Sequence, residues 1–474
     1  MGLQNHTLNA NSLTATLAEW GCVEAVHVDA TGPESSLLLV VAAALDATPL
    51  FTYGTRCKLY DPAGVLRFVG TCMEPVPTVD AGAERWEYFF AGPEYDLEVL
   101  PYKQHWRFPD EISDQGSPMH EEMVSLVTLN RHYSTGAKVT LKAQVTDALE
   151  QACNISVRST LGLETAQTAR LTYDATGVPV LDPPESEERD QSVLDVLHNQ
   201  SRWHPAGFWR LTYPSDTPHL VFCSVKSLDA LGAVMDVPEL IGEGIAVRQL
   251  PLDAFSLFKP TPLNDRLVRR LSFVYLITGI DSSGDAPFFW RQCQRDISTV
   301  KNGARGEREM TVELRGPMWD GETYTLPEGR PADGLAKELH QAFARLWWKF
   351  DFTVVQDEVI WDWMPGDLWN VSGAARTHAT AYALAQKITL NIGTGATSVV
   401  TGAPGHQGLG DRGDILKGNR LRNYPKNAGT QTSGKAKPEP DGGTTPEGDD
   451  HIFYVVENGG GMRYKIRAVA MGTF

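Results

Sequence analysis

Three clusters in this 474-residue sequence have residue types from which catalytic, cofactor or metal sites are built. The first, Gly408-Leu409-Gly410-Asp411-Arg412-Gly413, spells Gly-x-Gly-x-x-Gly. A dinucleotide loop needs a strand directly before it, a helix directly after it and an acid about 20 residues on. The preceding strand candidate ends near Thr401, and the segment that follows is short and interrupted by Gly418. A glycine-rich surface loop is the better reading. The second, His120-Glu121-Glu122, has no second histidine four residues on, so it lacks the ligand pair of a zincin helix. In the third, Asp195 and His198 are i, i+3 neighbours on a helix surface and His204 follows at a break, which reads as a solvated helix face. No Gly-x-Ser-x-Gly elbow or phosphate-binding Gly-x-x-x-x-Gly-Lys-Ser/Thr loop occurs. A glycosidase pair is defined by distance in space, so none can be chosen among 59 acids. The expectation is a chain with no catalytic, cofactor-binding or metal-ligating residues.

Twelve tryptophans invite a ligand reading, above all Trp347-Trp348 and the group Trp361, Trp363 and Trp369. Trp361 and Trp363 share one face of a candidate strand, so core or subunit contact is the expected role. The six cysteines, Cys22, Cys57, Cys72, Cys153, Cys223 and Cys293, have no Cys-x-x-Cys spacing and read as reduced thiols of a protein made in a reducing cytoplasm. No basic, apolar leader opens the chain, His6 breaks a myristoylation motif, and Leu37–Leu45 is too short to span a bilayer. Four Asn-x-Ser/Thr triplets, at Asn5, Asn154, Asn199 and Asn370, carry little meaning without a secretory signal. A soluble protein with no stable membrane insertion is expected. The formal charge, 42 − 59 = −17, disfavours a nucleic-acid coat, because phosphate binding needs Lys and Arg to displace counterions.

The elements that would position these residues are mostly strands. Leu37–Leu45, Thr52–Tyr60 and Val65–Gly70 are candidates, the last two joined by the turn Asp61-Pro62-Ala63-Gly64. Glu84–Ala91 alternates Trp86, Tyr88 and Phe90 with charged residues, a half-buried antiparallel pattern. Helical spacing appears over Lys142–Cys153, from an Asp190 cap to about Arg202, and from an Asp333 cap to Trp347. Further strands are expected at Ala169–Tyr173, Phe208–Tyr213, His219–Val225, Leu267–Ile280, Phe288–Cys293, Glu309–Leu314, Phe352–Val355, Val359–Trp363, Leu368–Val371 and Tyr382–Ile392. Pro425–Asp450 holds four prolines, five glycines and nothing apolar larger than alanine, the composition of a linker. Asn458-Gly459-Gly460-Gly461 between two strand-like runs predicts a C-terminal hairpin.

Three segments together resemble the central tail-hub proteins of tailed bacteriophages. Leu59–Tyr102 is similar to that family's first barrel, with its turn, aliphatic–Phe–x–Gly strand and long aromatic strand. AQVTDALEQACNI with ERDQSVLDVLHNQSRWHPAGFWRLTYPSDTPHLVF resembles its α+β domain, and MPGDLWNV with QKITLNIGTGATSVVTGAPGHQGLGD its second barrel's closing strands. The resemblance implies a mainly β fold: two tandem tube-type antiparallel β-barrels, a small α+β domain and a C-terminal β-hairpin. The expected boundaries are a first barrel at 1–135, an α+β domain at 136–235, and a second barrel with one helix at 236–422. A linker at 423–450 and the hairpin at 451–474 complete the chain.

The resemblance implies a structural virion protein at the distal end of the tail, made in the bacterial cytoplasm, without catalysis or cofactor. Implied partners are two further copies in a homotrimer, distal tail ring or tube proteins, the tape-measure protein, and spike or receptor-binding fibre proteins. DNA would pass only in transit. Three copies would carry 3 × −17 = −51, and acids facing the lumen would keep DNA from sticking. The competing readings are a virion-associated cell-wall hydrolase and a carbohydrate-binding tail-tip β protein.

Overall fold

The computed structural model describes residues 2–404 apart from 33, 81, 110–118, 132–136, 164–167, 184–185, 255–257, 264–267, 282–287, 301–307, 317, 320–323, 326–333 and 373–380. The chain divides into two units, 1–425 and 426–474, and every described residue belongs to the first. The expected linker, the C-terminal hairpin and the glycine motif at 408–413 lie outside the described residues.

The N-terminal part forms α1 (Gly2–Asn5), β1 (Thr7–Ala10), β2 (Leu13–Thr16), β3 (Cys22–Ala30), β4 (Ser35–Ala42), β5 (Arg56–Tyr60), β6 (Leu66–Cys72), β7 (Val76–Asp80), β8 (Ala83–Ala91) and α2 (Glu94–Val99). The turn between β5 and β6 forms as its residues demand. Asp61 Oδ1 accepts from the amides of Ala63 and Val65, and Gly64 takes the left-handed φ of +77°. In β8 the alternation is realised: Trp86, Tyr88 and Phe90 enter the core while Phe89 stays exposed.

The middle part contains β9 (Gln104–Pro109), β10 (Met119–Val124), β11 (Leu126–Leu129), α3 (Leu141–Cys153), α4 (Ile155–Thr160), β12 (Thr172–Asp174), β13 (Ser186–Arg189), α5 (Val193–Ser201), β14 (Gly207–Thr212), β15 (His219–Leu228) and β16 (Val234–Ile241). Strand β15 lies between β14 and β16, both antiparallel to it, with β12 pairing parallel. The cap of α5 is Ser192, not Asp190. Ser192 Oγ accepts from the Asp195 amide, and the Asp195 carboxylate returns the bond to the Ser192 amide, closing a capping box. Asp190, two residues earlier, sits at a φ of +51°. Replacing Ser192 with alanine is expected to lower stability by about 1 kcal/mol, read from the urea midpoint.

The C-terminal part contributes β17 (Val247–Pro251), β18 (Thr261–Pro262), β19 (Val268–Asp281), β20 (Phe288–Thr299), β21 (Arg308–Gly316), β22 (Met318–Trp319), β23 (Tyr324–Thr325), α6 (Leu335–Phe343), β24 (Trp348–Lys349), β25 (Phe352–Val355), β26 (Leu368–Ser372), β27 (Tyr382–Asn391) and β28 (Ala396–Gly402). Val359–Trp363 is irregular and not a strand. There the Ile360 amide bonds the Thr397 hydroxyl, the Met364 amide bonds Asp367, and the Trp361 indole is drawn to His6.

The fold is mainly β, and its largest sheet has 13 strands drawn from both ends of the chain. Strand β27 pairs antiparallel with β3, Lys387 opposite Ala30 through Asn391 opposite Val26, so N- and C-terminal strands form one hydrogen-bonded wall. Beneath it they share a core: Leu37, Leu39, Phe68 and Phe90 are buried in one cluster with Trp369, Ile388, Leu390 and Val399. A second core holds α3, α5 and β14. Helix α6, read from the sequence with the second barrel, buries Leu335, Leu339 and Phe343 in this second core.

Candidate functional site

Ser35, His27 and Asp29 are the residue types of a nucleophilic triad, and the β3–β4 turn brings them together. Their connectivity is wrong for catalysis. Ser35 Oγ bonds Asp29 Oδ1 at 2.6 Å and His27 Nε2 bonds Asp29 Oδ2 at 2.8 Å, so the serine donates to the acid and not to the imidazole. The other imidazole nitrogen meets the Ser36 carbonyl at 3.0 Å, and the ring is buried between Phe68 and Trp361. The imidazole is not placed to take the hydroxyl proton.

Several other buried polar groups hold elements together. His6 bonds the Gly2 carbonyl and accepts from the Trp361 indole at 3.0 Å, and burial lowers its pKa. His340 of α6 bonds the Val268 carbonyl at 2.7 Å and the Ser298 hydroxyl at 2.8 Å, and burial lowers its pKa too. Both are therefore neutral cross-links at pH 7. Tyr102 donates to Asp147 at 2.5 Å and accepts from Gln144, and burial followed by the Asp147 charge raises its phenol well above the ordinary range. Burial pushes the thiols of Cys22, Cys153 and Cys223 up to about 12 and that of Cys72 to about 11, so none of these is a thiolate nucleophile at neutral pH.

The structure separates Asp195, His198 and His204. Asp195 completes the capping box of α5, His198 reaches the Gly32 carbonyl at 3.2 Å, and buried His204 lies 3.1 Å from Glu338 of α6. Burial alone would raise the Glu338 carboxyl, but His204, Lys226 and Lys337 outweigh it and hold it low. His120-Glu121-Glu122 lies on β10, opposite Phe108, Arg107 and Trp106 of β9, and not on a helix. The tryptophans singled out in the sequence, Trp347, Trp348, Trp361, Trp363 and Trp369, go to packing. Trp347 and Trp369 are fully buried, and Trp363 stands edge-on to Trp369 at 4.8 Å.

One charged cluster escaped the sequence reading. Asp367, in the turn before β26, is wholly buried; its carboxylate accepts from Arg248 Nε at 2.5 Å and from the amides of Ala246 and Met364. Arg210 of β14, also buried, places Nη1 3.9 Å from Asp367 and donates Nη2 to the Glu243 carbonyl. Burial raises the Asp367 pKa against the pull of Arg248. Around the clasp, Phe208, Val221 and Cys223 of the middle part pack with Trp347, Leu368, Tyr382 and Leu384. The Pro-Gly-Asp spacing signalled a turn, but nothing in the sequence paired it with arginines 119 and 157 residues earlier.

The solvent side of the β3–β27 wall is built of cross-strand rows. One cross-strand row reads Phe89, Leu38, Val26, Asn391, Ala396; the next reads Ala91, Ser36, Val28, Thr389, Ser398, Thr353. Every one is half-buried or exposed, and none is charged. Glu24 and Glu87 border the rows on one side and Lys387 on the other.

No family model and no curated protein matches the chain. Solved structures similar to it include several phage tail proteins. The 43 kDa tail protein of prophage MuSo2 from Shewanella oneidensis is 11% identical at a TM-score of 0.46, covering 84% of this chain and 98% of that one. The tail protein from Neisseria meningitidis MC58 is 12% identical at 0.44, covering 84% and 95%. Prophage tail protein gp18 from Listeria monocytogenes EGD-e is 10% identical at 0.44, covering 87% and 99%.

Proposed function

We propose that this chain is a structural protein of a phage tail, the hub at its distal end. Three copies join the tail tube to spike or fibre proteins and enclose a path for DNA, with no catalysis of their own. The observation that carries this reading is the β3–β27 join. It fuses the two regions that resemble tube barrels into one wall, the form needed for a segment of a ring. The partners expected of such a hub are the tail-tube or distal ring proteins, the tape-measure protein and the receptor-binding fibres.

The wall also refines the electrostatic expectation. If its solvent side lines the channel, DNA meets two uncharged rows, which neither neutralise phosphate nor repel it strongly. Most of the −17 then lies on other faces. The acids of the wall stay at its border, at Glu24 and Glu87.

Two measurements test the reading together. Light scattering on the purified chain is expected to give a trimer mass, and virions labelled with an antibody against it are expected to show density at the tail tip. A monomer that clears peptidoglycan would favour the hydrolase instead. Label along the tail shaft or on the capsid would remove the hub assignment.

A further inference from the structure

The irregular segment that follows β25 crosses to the other end of the chain, where one imidazole holds it. His6, between α1 and β1, is buried. Its Nδ1 lies 2.7 Å from the Gly2 carbonyl, and its Nε2 lies 3.0 Å from the Trp361 indole nitrogen, 355 residues away. A carbonyl oxygen only accepts and an indole N–H only donates. The ring proton therefore sits on Nδ1, and the lone pair of Nε2 takes the indole. The other polar links from this segment to the N-terminal part lie at the surface. Asn5 donates to Glu358, and exposed Asp362 stands 3.9 Å from Arg67, pairs of a kind that contribute little.

We infer that His6 is an acid-release latch between the α1–β1 junction and the segment 359–363: the neutral ring holds Trp361, and the imidazolium lets it go. One proton added at Nε2 replaces the lone pair with an N–H. Two donors then face each other, and the bond is lost. Buried His340 makes the contrast. Its Nε2 already donates to the Val268 carbonyl, and its Nδ1 meets the Ser298 hydroxyl, which can turn from donor to acceptor. His340 can thus take a proton and keep both bonds, whereas His6 cannot. Burial lowers the His6 pKa against the Gly2 bond and the charges of Glu358 and Asp61. The Arg67 guanidinium, held by Asp61 at 2.8 Å, stands 5.8 Å over the Trp361 ring, so a charged His6 would put a second cation on that indole. His27, bonded to Asp29, faces the same indole from β3 at 5.6 Å.

The sign follows from linkage. His6 takes a proton less readily in the closed latch than once released, where it titrates near the ordinary histidine value of about 6.5. Above about pH 7 both forms are neutral, and the latch is closed and indifferent to pH. As the pH falls further, the opening constant rises by up to about tenfold per pH unit, until the closed form is itself protonated. This device is independent of the tail assignment.

Hydrogen exchange of the full chain from pH 5 to 8, corrected for intrinsic catalysis, tests it. Peptides covering 2–10 and 356–364 are expected to keep level protection above about pH 7 and to lose about threefold or more by pH 5. His6→Gln keeps a donor for the Gly2 carbonyl and an acceptor for the indole but does not titrate, so its protection is expected to stay level across the range. Trp361→Phe removes the indole donor. It is expected to lower protection in 2–10 already at pH 8 and to shrink the acid loss. Level protection in the unmodified chain overturns the proposal, as does an undiminished acid loss in either variant.

Discussion

Replacing Asp367 with alanine is expected to lower the stability of the chain by about 3–5 kcal/mol. The carboxylate is the common acceptor for Arg248 and for the amides of Ala246 and Met364, with Arg210 close by. Truncation strands those donors, and Arg210, fully buried, keeps its charge without its nearest counter-ion. Asparagine separates two explanations. It keeps an acceptor oxygen but drops the charge, and burial already biases the Asp367 carboxyl toward its neutral form. Asp367→Asn is therefore expected to lose only about 1–2 kcal/mol. A loss equal to that of alanine would show that charge, and not the count of donors, governs the clasp. The raised pKa also sets the acid response. This carboxyl holds its proton more tightly folded than unfolded, so lowering the pH through its range favours the folded chain. Urea titrations at pH 4 and 7 measure both effects.

Gly366→Ala, one residue earlier, acts by sterics. Gly366 has a φ of +87°, and a Cβ there would lie 2.2 Å from Cε2 of Phe208. Left-handed backbone strains any L side chain, and the Phe208 ring is enclosed by Trp347, Leu368 and Tyr382. A loss of about 3 kcal/mol or more is expected from the strain and the displaced ring together. Phe208→Leu alone is expected to lose about 1–1.5 kcal/mol. The double variant should be more stable than the sum of the two losses by at least about 1 kcal/mol, because leucine opens room for the new methyl. Strict additivity would mean that the backbone angle accounts for the whole effect.

Local features were legible in the sequence where one segment decides its own structure. The Asp61–Gly64 turn, the alternating strand at 83–91 and the helix at 141–153 appear within a few residues of their expected places. Val359–Trp363 reads as a strand because two tryptophans share a parity, yet hydrogen bonds to Thr397, His6 and Asp367 pull the segment out of any ladder. No periodicity encodes such partners. The same holds for the candidate site. Asp195, His198 and His204 look like neighbours because they are close in number, whereas the groups that meet, Arg210 with Asp367 and Glu94 with Ser35, are 157 and 59 residues apart. Pattern reading sees one face of one element; these clusters are made by contacts between elements. Helix α6 shows the same limit, since its apolar stripe names no sheet to pack on.

The pairing of β3 with β27 also sets an order of birth. Ala30 and Lys387 are 387 − 30 = 357 residues apart, and at about 5–20 residues per second a ribosome needs about 18–71 s to make the second after the first. During that interval the exposed edge of β3, from Val26 to Ala30, has no partner strand from its own chain. An open edge of this kind recruits strands from other molecules. The nascent chain is thus most vulnerable to misassembly before β27 emerges, and translation speed through the intervening residues becomes a determinant of yield.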